Sequence, residues 1–427
     1  MRAPDYLDRL ARLAGQARFA TLGGATLAAA KGVVLDTLGA MLAGCRLPEN
    51  ARLASLAAAR SGPRTATLIG HAERAEPMLA ALVNATAGVA FEVDEGNRWG
   101  GGHPAIHVLP AALAVGEEER ADGRRLIESL VAGYEVTSRL GAATTVRPNV
   151  HSHGTWGTVG AAVAVARLRG RDEPAIRQAI NLAASMSPAN SWTPCFEGAT
   201  IRNLYPGRAA LQGILAVHLL DCGYGAPHDA PSDVFGTILG ERFEPERALD
   251  DLADGEDGPR VYRIQRNYVK LHACCLYNHP ALDAIQTLLN RERCAPEAIA
   301  RITVTSVPFV TRMSAPDPPN MLAAKFSVPY AVAAAVVTGG SGVSAFLDPA
   351  REDPRVRELA RRVEVHGDPV MAMRDTAGPT ARVEVALRDG RVLTQTTTTV
   401  RGDAENPVDR EVLVEKFLAL ASPSLPA

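Results

Sequence analysis

Residues 126–140, LIESLVAGYEVTSRL, repeat apolar side chains at spacings of three and four. This spacing places the apolar side chains on one face of an α-helix. The same pattern returns at residues 161–168 and 209–220, and strand-like alternation is almost absent before about residue 259. The sequence therefore predicts a large all-helical region in the first part of the chain.

The pattern changes after a polar, charged break at residues 250–260, DDLADGEDGPR. Alternating β-branched segments follow at 302–307, 362–365, 381–387 and 392–400, and the last two flank the hairpin signal Asp389-Gly390. Helical patterns lie between them at 281–290 and 326–337, and residues 410–420 are helical again. We predict a mostly α protein: an all-helical domain of residues 1–260 and 404–427, and a smaller α+β domain of residues 261–403 with a small antiparallel sheet.

Composition limits the partners of this chain. The 427 residues carry a formal net charge of −2 with acids and bases scattered along them, which argues against nucleic acid or an acidic membrane surface as the main partner. Lys31 and Asp36 interrupt the most apolar window, and no apolar run approaches the roughly 18 residues that span a bilayer. The N-terminus lacks a secretory h-region and the cysteines are scattered, so we expect a cytoplasmic protein without disulfides or structural zinc.

Residues 91–110, FEVDEGNRWGGGHPAIHVLP, combine carboxylates, a glycine run and histidines. The titratable residues are Glu92, Asp94, Glu95, His103 and His107. Carboxylates near histidines shift one another's pKa values and can divide the roles of general acid and general base. The segment is therefore predicted to form part of an active site, with residues 100–102 as a mobile loop that closes over it.

Residues 151–160, HSHGTWGTVG, form a glycine-rich turn before an alanine-rich helical pattern. Free backbone N–H groups at such a helix start suit a carboxylate or a phosphate. We interpret His151 as functional, since it precedes the turn and could reach a bound anion. For His153 we favour a plain exposed position, with the glycines serving helix packing.

Residues 201–210, IRNLYPGRAA, place Arg202 and Arg208 on either side of Tyr205. Arginine binds carboxylates in a bidentate manner, although a salt-bridged helix start is a common alternative. Residues 268–283, YVKLHACCLYNHPALD, contain Lys270, adjacent cysteines and His279. Adjacent cysteines do not easily bind one tetrahedral ion, so we predict a basic, partly buried pocket wall and no metal or iron–sulfur centre.

Taken in order, these segments resemble the MmgE/PrpD family, which includes 2-methylcitrate dehydratases, cis-aconitate decarboxylases and iminodisuccinate epimerases. The likeness covers nearly the whole chain and is most specific at residues 102–115, 133–139, 151–162, 207–210 and 268–284. The resemblance implies a large helical domain built from both chain ends, a smaller α+β lid domain and a homodimer. It also implies a site between the domains that needs no metal or organic cofactor and binds small di- or tricarboxylates.

The resemblance also suggests roles for individual residues. It gives catalytic positions to Asp94, His103, His151, Lys270 and Tyr330, and we expect Arg202, Arg208, Tyr205, Cys275, His279 and Trp156 to contact the substrate. Three positions depart from the family pattern: Arg202 replaces a common lysine, Cys275 stands where decarboxylases have a histidine, and Ser152 replaces a proline after His151. Decarboxylation is therefore the least favoured of the three activities.

We expect a cofactor-independent lyase of the 2-methylcitrate dehydratase type. Either His103 or His151 would remove the α-proton, since histidine titrates near neutral pH, and the other would protonate the leaving hydroxyl. Asp94 would orient His103, and the buried cations would stabilise the aci-carboxylate. An epimerase or isomerase, a decarboxylase of a related dicarboxylate and a non-catalytic carboxylate-binding relative remain as alternatives.

Overall fold

The computed structural model describes residues 5–252, 261–292, 294–371 and 378–424. The helices before residue 252 are α1 (Tyr6–Gln16), α2 (Gly24–Gly44), α3 (Pro48–Arg60), α4 (Pro77–Val89), α5 (Pro104–Glu118), α6 (Gly123–Ala143), α7 (Trp156–Leu168), α8 (Glu173–Ser185), α9 (Thr193–Glu197), α10 (Leu204–Asp221), α11 (Ala230–Asp233) and α12 (Pro245–Ala248). The later helices are α13 (His279–Glu292), α14 (Met321–Ala324), α15 (Val328–Thr338), α16 (Asp348–Glu352), α17 (Pro354–Ala360) and α18 (Arg410–Ala421). Each long helical segment predicted from periodicity lies largely within one of these helices.

The helical core is built around α7, whose residues are almost all buried between α5, α6, α8 and α10. Small residues let these helices approach closely. A Cβ atom at Gly160 of α7 would lie 1.6 Å from Thr137 Oγ1 and 2.7 Å from the Gly133 carbonyl oxygen of α6. Aspartates fix helix starts by accepting backbone N–H groups, as Asp122 does at the start of α6.

The region predicted to be all-helical also contains two small antiparallel pairs of strands. Strands β1 (Ala66–Thr67) and β2 (Arg74–Ala75) form one, and β3 (Thr144–Val146) and β4 (Gly240–Phe243) form the other. Such short strands leave too little alternation to detect in the sequence. The predicted fold class, mostly α with a smaller α+β part, is confirmed.

The α+β part contains a four-stranded sheet. Its strands are β5 (Ile299–Ser306), β6 (Val363–Gly367), β7 (Ala381–Leu387) and β8 (Val392–Thr397), in the order β6-β5-β7-β8. The β5–β7 and β7–β8 pairs are antiparallel as predicted, and Gly390 in the connecting turn has a φ of 90°. The β5–β6 pair is parallel, because helices α14–α17 carry the chain back between these two strands.

From the sequence we expected no segment long and apolar enough to span a bilayer, but helix α2 meets that criterion. By length and composition it could cross a membrane, a test that buried core helices of soluble proteins also pass. Here it packs against α4 and α18, and its buried Asp36 pairs with Lys416 of α18. The Lys416 ammonium also donates to the Val93 carbonyl oxygen at 2.7 Å, so the C-terminal helix supports the carboxylate segment. The proposed domain limits stay a prediction, and residues 253–260 of the predicted break lie outside the described residues.

Candidate active site

A cavity of about 130 Å³ lies between the helical core and the α+β part. The side of the helical core contributes residues from three segments, 92–103, 151–153 and 192–202. The opposite wall consists of Tyr268, Cys275, Leu276, Tyr277 and Phe326. Sequence segments that are far apart along the chain therefore meet around one cavity.

The charged groups at this cavity form one buried network. Glu92 pairs with Arg202 through Oε1 and with the Lys270 ammonium through Oε2, the latter at 2.9 Å. Lys270 also lies 3.7 Å from Asp94 Oδ1. Burial acts to raise the pKa of Glu92, but Arg202 and Lys270 outweigh it and bring the pKa below its ordinary value. Both carboxylates are therefore ionised, because burial is likewise outweighed at Asp94 by Lys270 and His103, which lower its pKa.

The backbone at Glu92 is strained. Its φ is 53°, in the left-handed region that residues with side chains rarely adopt. Such conformations cost about 1–3 kcal/mol and persist where the surroundings enforce them, often at functional sites. Here the two ion pairs to Arg202 and Lys270 hold the carboxylate in place.

His103 has a defined tautomer. Its Nδ1 atom lies 2.7 Å from the Glu95 carbonyl oxygen and 3.0 Å from Asp94 Oδ2, so Nδ1 carries the proton and donates it. The Nε2 atom then presents a lone pair at the cavity, 3.4 Å from the Tyr268 hydroxyl. His103 is thus oriented as a proton acceptor.

The neighbouring Glu95 has a different state. Burial raises its pKa to about 8, so the side chain is mostly protonated at neutral pH. It accepts the Ala105 N–H at 2.8 Å and contacts the Tyr134 hydroxyl at 3.0 Å. These contacts anchor Glu95 to α5 and α6, behind the cavity wall.

His151 has the opposite tautomer to His103. Its Nδ1 accepts the backbone N–H of His153 at 3.0 Å, so a neutral ring carries its proton on Nε2. Burial brings the pKa of His151 well below its ordinary value and keeps the ring neutral. The ring packs 4.0 Å from the Trp192 ring, and Nε2 has no hydrogen-bond partner in the described part of the chain. His151 therefore offers an N–H donor at the cavity.

His153 is buried, with 1% of its surface exposed, so the expectation of an exposed position is wrong. Its ring stacks 4.5 Å from His103 and lies 4.9 Å from His151. Both ring nitrogens lack hydrogen-bond partners among the described residues. In the sequence, only the proximity of His153 to His151 pointed to this position.

The structure brings only part of the predicted site together. His103, His151, Arg202 and Cys275 line the cavity, while Asp94 and Lys270 lie directly behind it in the ionic network. Burial raises the pKa of the Cys275 thiol to about 11, so this wall residue is uncharged.

Five predicted residues lie outside the cavity walls, and two of them lie against its first layer. Tyr205 donates its hydroxyl to the Ser191 carbonyl and packs its ring 5.8 Å from His151. Trp156 packs edge-on to Phe235, behind the glycine run. Both support the wall and do not face the cavity.

The other three are farther from the chemistry. Arg208 is exposed and donates to Asn190 Oδ1, because its position on α10 faces away from the cavity. His279 is buried with Nε2 3.2 Å from the Cys274 carbonyl oxygen. Tyr330 donates its hydroxyl to the Ala345 carbonyl at 2.8 Å and lines a separate cavity of about 310 Å³.

Several wall residues received no individual role from the sequence, among them Tyr268 and Trp192. Glu92 was recognised only as one carboxylate of residues 91–110. Tyr268 stands two positions before Lys270, and an extended chain would place both on one side, which is the signal that could have identified it. Trp192 lies far from the other site segments in sequence, and only the tertiary structure brings it to His151.

The glycine run has a packing role. Asn97 and Gly102 exchange backbone hydrogen bonds at 2.8 and 3.2 Å, and Gly100 N–H donates to Asn97 Oδ1 at 2.8 Å. A Cβ atom at Gly100 would lie 2.7 Å from Ser138 Cα of α6. Close approach to α6 therefore explains this glycine, and the mobile loop stays a prediction.

Three side chains at this position are of types that can bind a metal ion. Asp94, His103 and His153 each offer a ligand atom, and these atoms lie within 4.8 Å of one another. Lys270 is 3.7 Å from Asp94, and the charge of Arg202 acts on His153. Two buried cations beside the three groups disfavour a divalent ion, so the arrangement fits proton transfer better.

Comparisons with known proteins agree over most of the chain. The family models for the MmgE/PrpD N-terminal domain and the MmgE/PrpD C-terminal domain match residues 8–239 and 272–427. Cis-aconitate decarboxylase from Aspergillus terreus is 24% identical over 420 residues, covering 92% of this chain and 84% of the relative. The human cis-aconitate decarboxylase is 27% identical over 428 residues, covering 92% and 83%. The mouse protein of the same name is 27% identical over 427 residues, covering 92% and 82%.

Proposed function

The chain belongs to the MmgE/PrpD family, and we propose that it is a cofactor-independent lyase that dehydrates a small hydroxy di- or tricarboxylate after removal of an α-proton. The relatives found are enzymes, which supports catalysis over a purely binding role. The observation that carries the proposal is the pair of opposite tautomers, with a proton acceptor on His103 and an N–H donor on His151 at one cavity.

The first step is removal of the α-proton by His103 Nε2. The imidazolium that forms keeps its Nδ1 proton directed at the Glu95 carbonyl and at Asp94. The ionised Asp94 carboxylate stabilises that positive charge and fixes the ring orientation. In this proposal Asp94 acts through His103.

Negative charge then develops on the substrate carboxylate beside the lost proton. Arg202 lines the cavity and Lys270 lies directly behind it, and Glu92 holds both cations in fixed positions. Cations fixed before the reaction stabilise developing charge without reorganisation. This arrangement favours the aci-carboxylate over the substrate.

Departure of the hydroxyl completes the elimination. Because His151 is neutral, loss of its Nε2 proton would create an imidazolate, so we assign His151 as a hydrogen-bond donor to the leaving oxygen and no longer as its proton source. The proton taken by His103 passes to the hydroxyl, the C–O bond breaks, and water and an alkene are released. Atoms and charges balance with His103 alone carrying the proton.

Proton NMR in D₂O tests the proposal with purified protein and methylcitrate, citrate, malate analogues and aspartate-derived imines. New vinyl signals are expected from at least one hydroxy acid. Deuterium incorporation without vinyl signals would instead identify an epimerase or isomerase. Binding of these compounds without any chemical change would overturn the lyase and favour a carboxylate-binding relative.

Decarboxylation is the second candidate, because the relatives found carry the name cis-aconitate decarboxylase. Loss of CO₂ from cis-aconitate needs a proton donor and no base, so it would leave the His103 acceptor without a role in the first step. Incubation with cis-aconitate and measurement of released CO₂ separates the two reactions. Rapid CO₂ release without dehydration of any hydroxy acid would replace the dehydratase proposal.

A further inference from the structure

His153 is a buried titratable group at the cavity that the mechanism above does not use. It lines the cavity, and neither of its ring nitrogens has a hydrogen-bond partner among the described residues. A buried polar group without a partner costs about 1–3 kcal/mol. A bound ligand that supplied a partner at the cavity would remove this cost.

Among the described residues, the cavity lacks unpaired positive charge for a bound carboxylate, and protonation of His153 can supply it. Two buried cations, Arg202 and Lys270, are already balanced by the carboxylates of Glu92 and Asp94. Arg98, at the cavity edge, is paired with Asp403 and Glu405. A substrate with two or three carboxylates therefore brings more negative charge than these already paired cations can neutralise.

The neighbouring histidines are less suited to supply the missing charge. His107 uses both ring nitrogens, since Nδ1 lies 2.7 Å from the His103 carbonyl and Nε2 accepts the Gly154 N–H at 2.9 Å. His151 already uses Nδ1 as an acceptor of the His153 backbone N–H. His103 has its Nδ1 engaged by Glu95 and its Nε2 reserved for the substrate proton. His153 alone of the four has both nitrogens open.

Resting on the proposed function, we propose that His153 binds a substrate carboxylate and takes up one proton from solvent when the substrate binds. The proton converts the neutral ring into an imidazolium, one N–H group of which donates to the carboxylate, and no other bond changes. The proton taken up with the substrate then adds one positive charge to the site, which compensates part of the substrate's negative charge.

The surroundings of His153 explain why its ring is neutral until the substrate binds. The titratable and charged groups that face His153 are Asp94, His103, His107, His151 and Arg202. Burial brings the pKa of His153 well below its ordinary value, and the positive charge of Arg202 acts in the same direction. A carboxylate at hydrogen-bond distance acts in the opposite direction and raises the pKa of the ring.

Isothermal titration with tricarballylate tests this proposal, because this tricarboxylate has no hydroxyl to eliminate. Titrations in two buffers with different ionisation enthalpies give the number of protons taken up. We expect about one proton per site near pH 7 and a Kd that rises up to about tenfold per pH unit, as linkage requires. His153→Asn keeps a polar side chain but cannot be protonated, so its uptake should fall to near zero and its Kd should no longer depend on pH.

A matched control is His366→Asn, an exposed histidine on β6 that should behave as the unsubstituted protein. His153→Gln and the thermal midpoint of each variant separate loss of the proton from loss of the fold. Binding without proton uptake, or full uptake in a folded His153→Asn protein, overturns the inference even if the protein is a dehydratase. If tricarballylate does not bind and no hydroxy acid is turned over, both proposals fail together.

Discussion

His103 and His107 lie four residues apart on one segment, yet they belong to two different kinds of environment. Around His107, in the packing of α5 against α7, each ring nitrogen has a backbone partner at 2.7 or 2.9 Å. Around the cavity, His151 has one ring nitrogen without a partner and His153 has two. The same residue type is therefore structural where its polar atoms are satisfied and available for chemistry where they are not.

The charged groups show the same contrast. Glu95, beside α5, is anchored by Ala105 and Tyr134 and is mostly protonated at neutral pH. Glu92, three residues earlier, is ionised between two cations on a strained backbone. Strain and paired buried charge therefore mark Glu92 at the cavity wall, whereas Glu95 behind it is held neutral.

The largest expected effect is on kcat and comes from substitution of His103 at the cavity. His103→Asn removes the proton acceptor, and we expect kcat to fall by ~10²–10⁴-fold, the usual loss for a general acid–base group. The thermal midpoint should change little, because asparagine can still donate towards the Glu95 carbonyl. Steady-state kinetics on whichever substrate the D₂O experiment identifies checks this, and turnover equal to that of His366→Asn would refute the role of His103.

The buried, neutral state of His107 should affect how the free energy of unfolding depends on pH. Burial lowers the pKa of His107 from 6.5 to about 4. Below pH 6.5 the unfolded chain binds a proton that the folded protein does not bind until about pH 4, so the free energy of unfolding falls as pH decreases across this window. The loss from this group is about 3 kcal/mol in total.

Urea denaturation at several pH values between 7 and 4 measures this dependence. His107→Gln removes the titrating ring, so its stability should fall less steeply with acidification, although it starts lower at pH 7. An equal slope in both proteins would show that His107 is not held neutral and would remove the contrast with the cavity.

The long-range assembly of the site explains how much could be predicted. Periodicity identified the helices and the hairpin at Gly390 because these depend on local spacing. The segment from Glu92 to His103 was recognised from its composition, and the structure brings it to His151, Arg202 and Cys275. The resemblance to the MmgE/PrpD family indicated that these separate segments form one site. Local spacing alone does not carry that information.

Orientation within elements explains what could not be predicted. Arg208 and Tyr330 follow recognisable motifs, but rotation of α10 and α15 directs them away from the cavity. His153 and Trp192 become site residues only through tertiary contacts with His103 and His151. The homodimer, the cytoplasmic location and the individual catalytic roles stay predictions.

A backbone contact in the core gives the next prediction. Gly160→Ala places a methyl group 1.6 Å from Thr137 Oγ1 and 2.7 Å from the Gly133 carbonyl oxygen, so α6 and α7 must separate. Overpacking of this kind typically costs about 1–3 kcal/mol, measurable by chemical denaturation. Gly170→Ala is unsuitable as a control because its φ is 64°, whereas Gly123→Ala adds a methyl in open space and should be neutral or slightly stabilising. If Gly160→Ala is as stable as Gly123→Ala, the tight packing behind the site is not required.

The smallest effect on stability is expected at Tyr330, and it tests whether this residue lies outside the catalytic cavity. Its hydroxyl donates to the Ala345 carbonyl at 2.8 Å, beside a cavity lined by Arg351, Arg357 and Arg361 that is separate from the one at His103. Tyr330→Phe removes this one hydrogen bond, so we expect a loss of about 1 kcal/mol in the free energy of unfolding. We expect kcat and KM to stay unchanged, because the hydroxyl is fully engaged away from the substrate cavity. A tenfold fall in kcat with intact stability would mean that Tyr330 reaches the substrate in the closed enzyme, and the decarboxylase alternative would then gain the proton donor that it needs.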